Sequence, residues 1–273
     1  WGRMEPMDFT DYSAIEAVNW SRLKHLWEGS PLHYKHAAEN WRDDDTLGRA
    51  LGRECHRLVL EPHRPPDYVI WDGGDRRGKA WKEFEAANVG KTIFKPGEVS
   101  AVYAQAEAVL SHPAARSYLE GAEFEKTIQW NHGTTGLRCK ARLDAYKPSV
   151  IVDLKGTPTI NPRDFARTCA KMGYHIQLAH YEEGITATTK IRPAKLVIIA
   201  VETKAPYDVG VFIIPNDPMI IAREERQYCM EILANCIKTG NWPGTCPKEE
   251  ELAFPAYIYS DGGEAIISGG HHG

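Results

Sequence analysis

The run Lys195-Leu-Val-Ile-Ile-Ala-Val-Glu202 constrains the fold more than any other stretch of this 273-residue chain. An apolar strand without polar alternation is buried on both faces, as at the centre of a sheet covered by helices on either side. A second strand, Tyr207 to Ile214, pairs with it through Lys204-Ala-Pro206. Three more are predicted at Phe124 to Trp130, Arg138 to Tyr146 and Val150 to Lys155, the last two forming a hairpin about the turn signal Lys147-Pro148-Ser149.

Apolar residues at helical spacing predict helices over 11–27, 31–41, 45–60, 78–87, 96–111, 113–119, 174–189 and 217–239. Asn161-Pro162 opens another, to about Lys171, with proline in the first turn where its missing N–H costs least. Glu61 to Arg77, rich in proline and glycine, reads as a long loop, and loops of that length in compact domains are often functional. The predicted fold class is α/β: a mixed central β-sheet flanked by helices, with N-terminal helical additions. It is read as a single domain over 4–262, a helical part at about 11–119 preceding a core at about 122–240.

The hairpin carries the chemistry. Side chains alternate along a strand, so Asp153 and Lys155 share a face with Ile151, while Val150, Val152 and Leu154 point the other way. Asp144 reaches the first face if the turn staggers the strands. Two carboxylates and an ammonium then converge, a ligand set that suits Mg²⁺, with Mn²⁺ the alternative, because magnesium takes few carboxylates, keeps waters and accepts phosphate oxygens. A lysine there can orient or deprotonate an attacking water. Arg138, Lys140 and Arg142 alternate onto the face of Asp144 and read as a phosphate track.

Three other segments bear on this site. His56 follows Gly52 on a helix whose Leu47, Leu51, Cys55 and Leu58 form an apolar stripe, with Gly48 and Gly52 expected to admit a neighbouring backbone. Glu123 and Glu125 lie in the strand upstream of the hairpin. Gln177 and Tyr181, four apart, share a helix face.

Taken in chain order, G-x-x-x-H, E, D, D-x-K and Q-x-x-x-Y resemble the motif series of the PD-(D/E)xK nuclease superfamily, in its RecB-like and phage-exonuclease branch. The likeness extends over about residues 13–245 and is greatest to RecE-type nuclease domains, with Ser21-Arg-Leu-Lys24, Ser30-Pro-Leu-His-Tyr34 and Asn161-Pro-Arg-Asp-Phe165 supporting it. The second acid, often Glu in the superfamily, is Asp153 here. The resemblance implies a restriction-endonuclease-like core in which His56, Asp144, Asp153 and the Leu154 carbonyl hold metal, one or two ions per site. Lys155 would hold or deprotonate the water, Glu125 (or Glu123) would serve a second metal or its water, and Gln177 and Tyr181 would position the scissile strand and the lysine. It also implies 5′ to 3′ digestion of double-stranded DNA ends, a 3′ single strand passed to an annealing protein, and a homo-oligomeric ring of three or four subunits. Ser21, Arg22 and Lys24 are candidates for a 5′-phosphate pocket. The rival readings are a PD-(D/E)xK endonuclease, a helicase-associated nuclease and an inactive DNA-binding protein.

A net charge of -4 excludes a generally basic DNA-coating protein but leaves room for local basic clusters. The cysteines, Cys55, Cys139, Cys169, Cys229, Cys236 and Cys246, contain no C-x-x-C pair, and the spacing of the last three fits no close iron-sulfur pattern. Cys55 and Cys139 alternate away from the chemistry into the core. No apolar run reaches membrane-spanning length and no signal-peptide core opens the chain, so a cytoplasmic, membrane-free enzyme is expected. Residues 1–3 and 268–273 read as tag-like or disordered ends.

Overall fold

The computed structural model describes residue 7, residues 9–40 and residues 46–254; the readings made for 1–3 and 268–273 lie outside them. In chain order the elements are α1 (Phe9–Ala14), α2 (Trp20–Glu28), α3 (Pro31–Glu39), α4 (Leu47–Leu60), β1 (Tyr68–Ile70), α5 (Gly78–Ala87), β2 (Thr92–Phe94), α6 (Pro96–Ser111) and α7 (Pro113–Leu119). There follow β3 (Glu123–Asn131), β4 (Arg138–Lys147), β5 (Val150–Thr157), α8 (Pro162–Met172), α9 (Tyr174–Thr189), β6 (Lys195–Glu202), β7 (Val209–Ile213) and α10 (Asn216–Thr239).

The fold is α/β. A five-stranded sheet has the order β3-β4-β5-β6-β7, with β5 and β6 parallel and the other neighbours antiparallel. The apolar run of β6 lies inside this sheet and divides its side chains between two cores. Leu196, Ile198 and Ala200 join the cluster containing Leu23 of α2, Ile176 and Ile185 of α9 and Met230 of α10. Val197, Ile199 and Val201 join the other, with Val59 of α4, Val102 and Val109 of α6 and Ala115 of α7. Each buried Val, Leu or Ile side chain stabilises by about 1.5–3 kcal/mol relative to exposure, which is why this strand anchors the architecture.

Two glycines set the position of α9 on the sheet. Gly173 takes φ +67°, ending α8 and opening α9, and a Cβ there would lie 2.7 Å from the Trp20 ring. At Gly184 a Cβ would meet Ile128 and Trp130 of β3 at 2.6 Å, so glycine lets the helix sit close to the sheet.

Three expectations need correction. The helix predicted over 11–27 is broken: Val18 donates its N–H to the Arg138 carbonyl and accepts from the Lys140 N–H, bridging to β4, and Asn19 caps a new helix, α2. Residues 61–77 are not wholly a loop, because β1 pairs in parallel with β2. Gly48 and Gly52 face open space instead of a neighbouring backbone. Cys55 and Cys139 are buried, as read, and among the described residues no helix is long and apolar enough to cross a membrane.

Candidate metal centre

Strand alternation slips at one point, and the candidate site is there. Ile128 and Trp130 of β3 and Cys139, Ala141 and Leu143 of β4 pack in the core facing α9. Phe124 and Ala145, further along the same paired strands, pack in the opposite core. Between them lie Glu125 and Asp144, bracketed by the pairs Phe124↔Ala145 and Lys126↔Leu143. Glu125 has φ +51°, unusual for a residue with a Cβ. Non-glycine residues held there cost energy and cluster at functional sites.

The strand beside β4 departs at the same place. β5 pairs with β4 only at Ala145↔Val152, Tyr146↔Ile151 and Lys147↔Val150. Beyond the last rung the Asp144 carboxylate takes over from a backbone carbonyl, accepting the Leu154 N–H through Oδ2 at 2.7 Å. Where β5 is missing, the Val18 bridge pairs with the start of β4 instead.

His56 of α4 reaches the slip from the adjacent core, with Nδ1 3.6 Å from Asp144 Oδ2. Ligand atoms of His56, Glu125 and Asp144 all lie within 4.8 Å of one another. One imidazole and two carboxylates form a hard nitrogen and oxygen donor set that fits a divalent cation such as Mg²⁺ or Mn²⁺. Glu123 takes no part: it is exposed and pairs with Lys126 at 2.5 Å.

Asp153 sits behind this group, 1% exposed. Lys155 Nζ lies 2.6 Å from its Oδ2, and Gln177 Nε2 donates to its Oδ1 at 3.1 Å. Gln177 Nε2 also lies 2.6 Å from the Tyr181 hydroxyl, while Tyr174 places its ring 5.0 Å from the Lys155 ammonium. The structure thus brings Asp153, Lys155, Gln177 and Tyr181 into one chain of polar contacts. Leu154 contributes its N–H to Asp144 and pairs with Ile199 of β6.

The charges follow from burial and proximity. Burial pushes the Glu125 carboxyl up to about 7, aided by Asp144 and opposed by Arg142. Burial likewise raises Asp153 to about 6, against the pull of Lys155. For Lys155 burial acts downward, but Asp153 and Asp144 outweigh it and the net direction is upward, so it is a charged group here. Burial holds Tyr181 well above the ordinary phenol range, which makes it a hydrogen-bonding group and not a base.

The phosphate track read from β4 does not survive. Lys140 is 1% exposed, and its ammonium donates to the carbonyls of Tyr12, Ser13 and Ile15 at 2.6, 3.3 and 2.8 Å. Arg142 is also turned inward, onto Glu125, Glu61 and the Met7 carbonyl. Arg138 is the exposed member and contacts Gln129. Alternation placed the residues on one face correctly, but the N-terminal segment that covers this face is remote in sequence.

A cleft of about 1160 Å³ opens beside the site, with Tyr174 and Gln177 in its lining together with Ser21, Lys24, His25 and Arg49. Ser21 and Lys24 therefore share a cavity with the Asp153 contact network. Arg22 is not among its lining residues; its charge acts on Tyr12, Tyr34 and Lys140. Glu61 is the site neighbour that motif reading missed. It caps α4 five residues after His56 and reaches Arg142 at 3.7 Å, a contact with no local sequence signal.

Residues 19–253 match the family described as PDDEXK-like domain of unknown function (DUF3799). Among solved structures, the fold is similar to that of a candidate exonuclease from Eubacterium rectale. The TM-score is 0.63 at 17% identity, covering 93% of this chain and 96% of that one. A phage-related exonuclease from Haemophilus somnus 129PT aligns at 14% identity over 82% of this chain and 96% of its own, with a TM-score of 0.38. No curated protein matches the sequence.

Proposed function

Since this chain belongs to the PDDEXK-like domain family, we propose that it is a divalent-metal-dependent DNA nuclease, acting as an exonuclease on linear double-stranded DNA. The observation that carries the reading is the convergence of His56, Glu125 and Asp144 beside the Asp153–Lys155 pair. In this reading His56, Glu125 and Asp144 hold the cation, and the resemblance assigns Asp153 and the Leu154 carbonyl to it as well. A cation bound there would supply Lewis-acid polarisation of a phosphoryl oxygen and a more acidic water.

The protein's own groups do the rest. Lys155, kept charged by Asp153, orients the attacking water and offsets negative charge as the phosphorus gains a fifth oxygen. Gln177 and Tyr181 fix Asp153 in one rotamer through the 3.1 and 2.6 Å contacts. The cleft lined by Ser21 and Lys24 receives the substrate strand, its hydroxyl and ammonium suiting a terminal phosphate. Digestion in the 5′ to 3′ direction, a 3′ tail handed to an annealing protein, a ring of three or four copies and a cytoplasmic site of action complete the proposal. They rest on the motif series resembling that of RecE-type nucleases.

Linear duplex labelled at either end, with and without a 5′-phosphate, tests the reading alongside covalently closed plasmid. The expected result is Mg²⁺- or Mn²⁺-dependent loss of the 5′ label as mononucleotide, an intact plasmid, and activity reduced at least about 10²-fold by Asp144→Asn. Cutting of closed plasmid would favour an endonuclease. Undiminished cleavage in excess chelator, or by Asp144→Asn, would overturn the metal mechanism.

A further inference from the structure

The guanidinium of Arg142 is enclosed by acceptors from three separate parts of the chain. Nε donates to Glu125 Oε2, Nη2 lies 3.7 Å from Glu61 Oε1, and Nη1 donates to the Met7 carbonyl at 2.8 Å. Phe9 covers it, with its ring centroid 6.0 Å away. Its side chain is only 9% exposed, so it is poorly placed to meet a DNA phosphate.

From this geometry we infer that Arg142 is a positioning residue which holds the Glu125 carboxylate for the cation, and is not itself a substrate contact. The inference rests on the proposed metal-dependent function. A guanidinium presents its donors in a rigid plane and can fix a carboxylate's orientation where a single point charge cannot. By taking Oε2, Arg142 leaves Oε1 as the other acceptor of Glu125, on a residue whose backbone is already held at φ +51°. Glu61 and the Met7 carbonyl hold the far side of the guanidinium, so rotation of Arg142 away from Glu125 would break contacts to α4's cap and to the N-terminal segment together. Partners that orient a ligand commonly change metal affinity on the order of 10–100-fold when removed.

Titration calorimetry with Mn²⁺ alone, without DNA, tests this on wild type, Arg142→Gln, Arg142→Lys, Glu125→Gln and the Arg142→Gln/Glu125→Gln pair. Arg142→Gln should weaken Mn²⁺ binding on the order of 10-fold or more, and Arg142→Lys should recover part of the loss. The double variant should bind no worse than Glu125→Gln, because Arg142 acts through that carboxylate. Circular dichroism identifies a variant that fails to fold. Should Arg142→Gln be one, Arg142→Lys carries the test: an affinity within about twofold of wild type overturns the inference. Wild-type Mn²⁺ affinity in Arg142→Gln with weakened DNA binding would also overturn it, restoring a phosphate contact. If instead Glu125→Gln and Asp144→Asn leave Mn²⁺ affinity unchanged, the metal site itself is wrong, a distinguishable failure.

Discussion

Replacing Lys140 with methionine separates a structural role from a DNA-binding one. Methionine keeps most of the apolar stem and removes the ammonium. Two of the contacts, to Tyr12 O at 2.6 Å and Ile15 O at 2.8 Å, are well within hydrogen-bond range, while the third, to Ser13 O, is long at 3.3 Å. Burial pushes the Lys140 amine down to about 8, which leaves it charged at neutral pH. Two charge-assisted bonds at about 1.5–3 kcal/mol each give roughly 3–6 kcal/mol. Relief of the buried charge and hydration of the freed carbonyls offset part of this, leaving about 3 kcal/mol. At about 2–4 °C per kcal/mol for a chain of this size, Tm should fall by about 6–12 °C. Calorimetry measures that change, and hydrogen exchange should show faster opening at the amides of Val18 and Lys140. DNA affinity at constant salt should not change so long as the variant is folded. An unchanged Tm together with weaker, less salt-dependent DNA binding would refute the reasoning and reinstate Lys140 on a phosphate track.

Two other perturbations follow from the same geometry. In metal-free protein Glu125 keeps its proton up to about pH 7 when folded, against 4.5 ordinarily, so the folded state binds more protons across that window. Unfolding free energy should therefore fall as pH rises through it, and Glu125→Gln, lacking the titration, should gain in Tm relative to wild type between about pH 4.5 and 7; parallel curves would count against a buried, protonated Glu125. Gly184→Ala should destabilise by about 1–2 kcal/mol in urea unfolding, because the 2.6 Å approach to Ile128 and Trp130 outweighs the roughly 1 kcal/mol gain in helix propensity. A more stable variant would mean that the Trp130 ring moves aside freely.

Elements whose signal is local were legible in the sequence. The bounds of α9 and β6 are those read from helical spacing over 174–189 and from the apolar run over 195–202. Gln177 was assigned to position the scissile strand and Lys155; the structure shows its amide on the Asp153 carboxylate. What escaped notice depends on distant partners. The helix predicted through Val18 is broken because that residue pairs with Cys139, a tertiary contact overriding helical periodicity. β1, three residues long in a segment of prolines and glycines, is a strand only by virtue of β2. Alternation put Lys140 and Arg142 on one face but could not show that Met7, Phe9, Tyr12, Ser13 and Ile15 lie over it. The Glu125–Arg142 pair joins two strands, and its significance came from a φ angle that composition does not reveal.

The bridge at Val18 bears on where this domain begins. The stretch shared with the family starts at residue 19, yet Val18 satisfies the Arg138 carbonyl and the Lys140 N–H in the place β5 vacates. A fragment trimmed to the family boundary would leave those two groups on an open sheet edge and Lys140 without its three carbonyl acceptors. The residues just outside the recognisable homology thus act as an intramolecular patch. The gap they close opens where β5 stops pairing with β4 at Ala145, next to Asp144.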